Sequence, residues 1–183
     1  MLEVEIKNKE WLHFHTFKQR GEWVELEFMA RAALHGFNVS KPWGDSSAYD
    51  VGIEHGPDFL RVQIKSTTVR TGTGYFCQFK PNYYNKRHDY TLDEIDLFAA
   101  YVIPVDAWYL IPAAVILKPR RKVGVMLHPV VPLRKNRYRY EHYREAWHLL
   151  SKTREQLGAY IGPRSRRPRR VERRPPETEM DSP

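Results

Sequence analysis

The sequence is poor in cysteine and in long apolar runs: 183 residues contain one cysteine. A single cysteine excludes an internal disulfide and a cysteine-rich zinc site. Because the neighbours Tyr75-Phe76-Cys77-Gln78-Phe79 are typical of a strand, we interpret Cys77 as a buried structural thiol rather than a nucleophile. The lack of a run of about 20 apolar residues predicts no membrane-crossing helix, and the charged N-terminus indicates no signal peptide. The expected location is the cytoplasm.

Positive charge is what the sequence has in excess. Thirty Lys and Arg residues against 22 Asp and Glu residues give a net charge of +8 at pH 7. Residues 163–183 hold seven Arg and four acidic residues, so they contribute +3 and the rest of the chain keeps +5. This excess favours a polyanionic partner such as nucleic acid, although ribosomal and membrane-surface proteins share it.

The length predicts one domain with a single core, and the composition divides the chain near residue 160. Residues 1–160 are expected to form the domain. Its last element is predicted as an amphipathic covering helix over Tyr138–Leu157, because large apolar residues recur there at helical spacing. The Arg- and Pro-rich residues 161–183 are predicted to be disordered, and serve either to attract phosphates or only to keep the protein soluble.

The most informative stretch is AYDVGIEHGPDFLRVQIKST, residues 48–67. Two β-branched runs flank His55-Gly56-Pro57-Asp58, which predicts a hairpin with those four residues as its loop. Glu54 then lies opposite Phe59, and Asp50 lies opposite Gln63. Because side chains alternate along a strand, two sets face opposite ways. The core set is Val51, Ile53, Leu60, Val62 and Ile64; the polar set is Asp50, Gly52, Glu54, Arg61, Gln63 and Lys65.

Two interpretations of the polar set remain at this point. A half-solvated sheet face is the commonest reason for such alternation. Asp is disfavoured in strands, however, so Asp50 favours a functional patch in which a carboxylate, an amide and an ammonium group converge. A one-residue slip of either strand would move Asp50 and Gln63 to opposite faces.

A helix is predicted before this hairpin. Thr16 and Gln19 have the spacing of a capping box, and Gly36 suits a helix C-terminus. Glu27 and Arg31 are expected to form an exposed ion pair, opposite an apolar arc of Leu26, Met29, Ala30 and Ala33. Two carboxylates, Glu22 and Glu25, lie in or beside that arc and require a partner or a cation.

Further strands are predicted along the chain at Phe37–Pro42, Tyr75–Lys80, Leu97–Ile103, Trp108–Ile111 and Val123–Leu127. A short helix is predicted from Pro112. The acidic residues Asp93, Glu94 and Asp96 are interpreted as caps of a helical turn. Between the strands, residues 81–90 alternate aromatic and basic side chains, including Lys86 and Arg87. This loop either contacts bases and phosphates or is an ordinary solvated loop.

Asp50, followed by the hairpin and by Gln63-Ile64-Lys65-Ser66-Thr67, resembles the PD-(D/E)xK nucleases, with Gln63 where most members have Glu or Asp. The pattern is most similar to the group I intron homing endonucleases with a QxK motif, and more loosely to archaeal Holliday junction resolvases. Gly21-x-x-x-Glu25 followed by Gly36-Phe37 resembles the opening helix of resolvase-like nucleases, whose glutamate assists metal binding. On this match Glu25 is the fourth site residue, with Glu22 as a substitute.

The resemblance implies a restriction-endonuclease-like α/β core, with a mixed central β-sheet flanked by helices. It implies a DNA endonuclease that uses Mg²⁺, for which Mn²⁺ substitutes. The metal ligands would be Asp50, Gln63, Glu25 and the backbone carbonyl of Ile64, and Lys65 would orient or deprotonate the attacking water.

Phosphate contacts are expected from Ser66 and Thr67. Ser46 and Ser47, next to Asp45, either contact phosphate or are turn residues. Cutting both strands implies a homodimer or homotetramer. The alternative function is a non-catalytic nucleic-acid-binding protein that keeps the fold, and Gln63 in place of an acid motivates it.

Overall fold

A mixed five-stranded sheet is the framework of the computed structural model, which describes residues 14–44, 46–79, 90–117, 124–130 and 139–159. The sheet order is β1-β2-β3-β6-β7, in which β3 and β6 are parallel and the other pairs antiparallel. A smaller sheet has the order β4-β5-β8. The elements are α1 (Phe17–Leu34), β1 (Asn38–Ser40), β2 (Val51–His55), β3 (Asp58–Thr67), β4 (Arg70–Thr71), β5 (Gly74–Gln78), β6 (Leu97–Val102), β7 (Ala107–Pro112), α2 (Ala113–Ile116), β8 (Gly124–Leu127) and α3 (Arg154–Ala159). The expected α/β fold class is confirmed.

The β2–β3 hairpin has the predicted register. Glu54 pairs with Phe59 and Val51 pairs with Val62. The loop is shorter than predicted, because His55 still pairs with Asp58 and only Gly56-Pro57 connects the strands. Gly56 adopts a φ of +57°, which glycine accepts without steric cost. Each strand extends by one residue into the predicted loop, His55 on β2 and Asp58 on β3. Because the two extensions are equal, the residues on each face of the hairpin are the predicted ones.

The predicted boundaries of α1 are also confirmed. The hydroxyl of Thr16 accepts a hydrogen bond from the backbone N–H of Gln19 at 3.1 Å. The Gln19 side chain in turn accepts from the backbone N–H of His15 at 3.0 Å. Gly36 follows the helix with a φ of +83°. These contacts satisfy backbone groups that a helix end leaves without intrahelical partners.

The predicted apolar face of α1 is wrong. The buried residues are Val24, Phe28 and Ala32, whereas Leu26 is 60% exposed, and Ala30 and Ala33 are also exposed. Apolar residues occur around the whole helix, so their spacing alone does not select a face. Packing selects it: the Phe28 ring lies 5.5 Å from that of Trp108 and 5.7 Å from that of Trp147.

Because the buried face of α1 differs from the predicted one, the environment of the Glu27–Arg31 pair differs too. The pair forms, with Arg31 Nε 2.9 Å from Glu27 Oε1, but it is partly buried rather than fully exposed. Arg31 Nη2 also donates to Asp106 Oδ1 at 3.0 Å. The ion pair therefore connects α1 to the turn between β6 and β7.

The predicted helix over residues 138–157 is wrong, although its large apolar residues are buried as expected. The segment contains two 3₁₀ turns, Glu141–Tyr143 and Trp147–Ser151, before α3. Between them Glu145 has a φ of +50°. Its carboxylate accepts from Trp108 N and Trp147 Nε1, both at 2.8 Å, and its N–H donates to Trp108 O at 2.9 Å. The hydrogen bonds of Glu145 to Trp108 of β7 thus take the place of the hydrogen bonds that a continuous helix would make.

Two further predictions concern isolated groups. Cys77 is buried, and burial raises the pKa of its thiol to about 12, so the interpretation as a structural thiol is confirmed.

Of the three acids before β6, Glu94 caps a turn by accepting from Thr91 N at 2.9 Å. Asp96 instead binds two arginines. Within the described parts of the chain, no helix has the length and apolar content needed to cross a membrane.

Candidate active site

Asp50 precedes β2 directly and is fixed onto β3. Its backbone N–H donates to Val62 O at 2.9 Å. Its Oδ2 accepts from the backbone N–H of Ile64 at 2.7 Å and from Gln63 Nε2 at 2.5 Å. Because β2 begins only at Val51, the carboxylate provides the acceptor for a β3 amide beyond the end of the β2 ladder. The side chain is thus held at one position where the two strands separate.

The charge of Asp50 is incompletely compensated. Burial is the largest influence and raises its pKa above the ordinary 3.8, and the negative charge of Glu25 raises it further. Lys65, the Ile64 N–H and Gln63 act in the opposite direction without cancelling the effect. A carboxylate in this state is stabilised by a nearby cation.

We predict that Asp50→Asn raises the melting temperature of the metal-free protein at pH 7, by about one to a few degrees. A raised folded-state pKa favours folding below the unfolded value of 3.8, and that stability is lost as pH rises through the folded pKa. The ionised carboxylate therefore destabilises the fold at neutral pH, and the isosteric amide removes that charge. Melting curves in chelator at pH 3 to 8 test this. A lower melting temperature for the variant at pH 7 would contradict it.

The two motif residues on β3 lie beside Asp50. Gln63 is 4% exposed and makes the hydrogen bond described above. Lys65 is half-buried, its ammonium lies 5.7 Å from the centre of the Tyr90 ring, and its positive charge lowers the pKa of Asp50. Lys65 therefore does not share the hydrophobic face of Val62 and Ile64, and its charge acts on the carboxylate.

Glu25 approaches the same place from α1. Its side chain is 20% exposed, and its Oε2 accepts from Lys41 Nζ at 2.6 Å. The charge of Glu25 raises the pKa of Asp50, so the two carboxylates interact. Glu22 differs, because its side chain is 55% exposed and lies 3.9 Å from Lys18 on the helix surface. The structure thus brings Glu25 to Asp50, whereas Glu22 acts on the outlying Lys41, whose pKa its charge helps to raise.

Lys41 is the residue that sequence reasoning missed. It directly follows β1, and its charge interacts most strongly with Glu25 and also with Asp50 and Glu22. With two carboxylates and the two ammonium groups of Lys41 and Lys65, these four side chains balance in formal charge. No motif in the sequence signals Lys41, because its contact with α1 depends on tertiary packing.

The residues expected to contact phosphate have different settings. Ser46 and Ser47 are exposed in the loop before Asp50, and Ser66 is half-buried on β3. Thr67 is 4% exposed; its hydroxyl donates to Phe76 O at 2.7 Å and accepts from Val69 N at 3.1 Å. These internal bonds argue against a phosphate contact by Thr67. Asp45, Lys86 and Arg87 lie outside the described residues.

The donor set of this cluster fits a hard divalent cation. Within the described residues, no group of three or more His, Cys, Asp or Glu side chains is arranged for a metal. Mg²⁺ needs fewer protein ligands than such a group supplies, because it prefers oxygen ligands, keeps several waters and uses one or two carboxylates. Asp50 and Glu25, whose charges interact, and the Gln63 amide beside Asp50 are ligands of this kind, provided that Gln63 turns its amide oxygen toward the site; the Ile64 carbonyl is a ligand by the motif alone.

Comparison with known proteins adds two findings. A family described as PD-(D/E)XK endonuclease matches residues 15–150. This range contains the four residues of the motif, Glu25, Asp50, Gln63 and Lys65. The solved structure of a bacterial homing endonuclease, I-Ssp6803I, matches with a TM-score of 0.61 and 26% sequence identity. That match covers 80% of this chain and 96% of the other. No curated protein matches the chain.

Proposed function

Because the chain belongs to the PD-(D/E)XK endonuclease family, we propose that it is an Mg²⁺-dependent enzyme that hydrolyses phosphodiester bonds in DNA. The observation that carries this proposal is the fixed position of Asp50. A desolvated carboxylate is held against Gln63 and the Ile64 amide, with the charges of Glu25 and Lys65 both acting on it. This combination of acids, amide and lysine suits phosphodiester hydrolysis.

Four oxygen donors would hold the metal ion: the carboxylates of Asp50 and Glu25, the side-chain oxygen of Gln63 and the backbone carbonyl of Ile64. Mn²⁺ would bind to the same donors. A bound divalent ion supplies charge neutralisation at the phosphate and acidifies its bound water. Gln63 in place of an acid removes one negative charge from the donors, so Glu25 carries more of the binding in the free protein and a DNA phosphate adds to it in the complex.

The protein's own groups prepare the reaction in other ways. Asp50 is held by two hydrogen bonds, which limits the reorganisation needed before reaction. As an ammonium, Lys65 orients the attacking water or stabilises charge on the phosphate oxygens; as a neutral amine, it would accept the proton of that water. Ser46, Ser47 and Ser66 contribute phosphate contacts, as do Lys86 and Arg87 by sequence. Cutting of both strands would use a homodimer or homotetramer, which supplies two such centres.

Supercoiled plasmid DNA provides the test of function. We expect the wild-type protein to nick or linearise the plasmid in Mg²⁺ or Mn²⁺, and to be inactive in chelator. Lys65→Met should cut about 10²-fold or more slowly, the range of a lost general acid–base group, while gel-shift affinity for DNA stays within a few-fold. Lys152→Met, a half-buried lysine outside the cluster, is the control and should cut at the wild-type rate.

A non-catalytic DNA-binding protein is the second candidate function. One observation favours it: Gln63 donates to Asp50, and Lys41 binds Glu25, so both carboxylates have hydrogen-bond partners within the protein without a metal. Wild-type protein that binds DNA but never cuts it in Mg²⁺ or Mn²⁺ would establish this candidate and reject the first.

A further inference from the structure

The ion pair between Lys41 and Glu25 is closer than the pair of Lys18 and Glu22 on α1. Lys41 Nζ lies 2.6 Å from Glu25 Oε2, and the two side chains are 47% and 20% exposed. The nearby pair of Lys18 and Glu22 on the same helix is separated by 3.9 Å, with side chains 76% and 55% exposed. The first pair is therefore a shorter, better shielded hydrogen-bonded contact, which is the stronger kind.

The backbone places Lys41 close to β2, the strand that Asp50 precedes. Ser40, the residue before it, pairs with Gly52 of β2, and Gly52 is two residues from Asp50. The Phe59 ring and the Ser40 hydroxyl lie directly over Gly52, because a Cβ there would lie 2.3 Å from the ring and 2.6 Å from the hydroxyl oxygen. The Lys41 side chain reaches α1 from the residue that follows this packed end of β1.

The position of the ammonium makes it a competitor for metal. It occupies an oxygen of Glu25, and its charge also interacts with Asp50. These are the two carboxylates that the proposed function assigns to a divalent cation. A dication near Glu25 and an ammonium bonded to the same carboxylate repel each other, and the dication neutralises the two acids more completely.

We propose that Lys41 is a built-in counterion, which holds Glu25 in the metal-free protein and must leave it when the metal ion binds. The inference rests on the proposed metal site at Asp50 and Glu25. Lys41 keeps the metal-free site neutral and the Glu25 side chain in place, and it lowers the affinity for metal as a consequence. Its role is that of a positioning residue that acts through Glu25.

Calorimetric titration of Mn²⁺ into the protein alone tests this role without DNA or turnover. Lys41→Met is expected to bind Mn²⁺ about threefold to fivefold more tightly than wild type, the effect of losing one partly exposed ion pair. Lys18→Met is the matched control and should leave the affinity unchanged. A merely structural role for Lys41 would weaken binding, so a gain in affinity rules out that role.

A second pair of variants separates displacement from charge acting through space. In a Glu25→Gln background the ion pair is absent, so adding Lys41→Met should change the Mn²⁺ affinity by less than about twofold. The proposal is overturned if Lys41→Met leaves wild-type affinity unchanged or weaker, or if its gain persists fully in the Glu25→Gln background. Absence of Mn²⁺ binding to the wild-type protein would instead reject the proposed metal site, and this inference with it.

Discussion

Asp50→Asn is expected to reduce the rate of DNA cleavage in Mg²⁺ by about 10³-fold. A metal ion stabilises the transition state by several kcal/mol, and each 1.4 kcal/mol corresponds to about a tenfold change in rate. The amide keeps the shape of the side chain and its hydrogen bond from the Ile64 N–H, so the fold of the β2–β3 hairpin should be retained. Loss of the carboxylate charge, rather than unfolding, would be the cause.

Single-turnover cleavage of a plasmid measures this effect. Asp58→Asn is the matched control, because Asp58 lies at the opposite end of the same hairpin and pairs with His55; it should cut at the wild-type rate. Gel shifts in Ca²⁺ should show that both variants still bind DNA. Cleavage by Asp50→Asn within about tenfold of wild type would be incompatible with a metal-ligand role.

Asp96→Ala is expected to lower the free energy of unfolding by about 3–5 kcal/mol, the cost of removing one partner of a buried ion pair. The Asp96 side chain is 5% exposed. Its Oδ2 accepts from Arg61 N at 2.8 Å and Arg61 Nε at 2.9 Å, and its Oδ1 accepts from Arg154 Nε at 2.8 Å. The carboxylate thus joins β3 and α3, and the variant leaves the Arg61 guanidinium without its hydrogen-bonded carboxylate.

The pH dependence of this loss has a defined sign. Burial of Asp96 raises its pKa, but the hydrogen bonds from Arg61 and Arg154 outweigh burial, and the pKa lies below the ordinary 3.8. A depressed folded-state pKa contributes stability above the unfolded value, and that stability is lost as pH falls through the folded pKa. The difference between wild type and Asp96→Ala should therefore be full at pH 7 and shrink below about pH 4.

Urea unfolding of wild type and Asp96→Ala at pH 7 and at pH 3 checks both statements. Asp93→Ala provides the control, since Asp93 is exposed in the same segment and should change stability by less than about 0.5 kcal/mol. A loss below about 1 kcal/mol for Asp96→Ala at pH 7 would show that the arginines find other partners.

The part of the site on β2 and β3 could be predicted from sequence because its determinants are local. The Gly56-Pro57 turn and the alternation of Val51 and Ile53 with polar residues set the register. The register in turn places Asp50 beside Gln63, and the observed pairing of the strands agrees. Lys65 follows from the period of two residues in β3.

The contributions from other elements could not be predicted in the same way. The buried face of α1 depends on aromatic rings of β7 and the 3₁₀ segment, which contact Phe28 from far along the chain. The 3₁₀ segment itself departs from helix because Glu145 bonds to Trp108 and Trp147. Lys41 reaches Glu25 across 16 residues of sequence. Local periodicity contains no information on these contacts.

Titration of Mn²⁺ into wild-type protein and Asp50→Asn, followed by calorimetry, tests most directly whether Asp50 holds the metal ion. Wild-type protein should bind Mn²⁺ at a single class of site, and Asp50→Asn should show no binding at the same concentrations while melting cooperatively. Equal Mn²⁺ affinity in the two proteins, or no binding to either, would contradict a metal-dependent active site at Asp50.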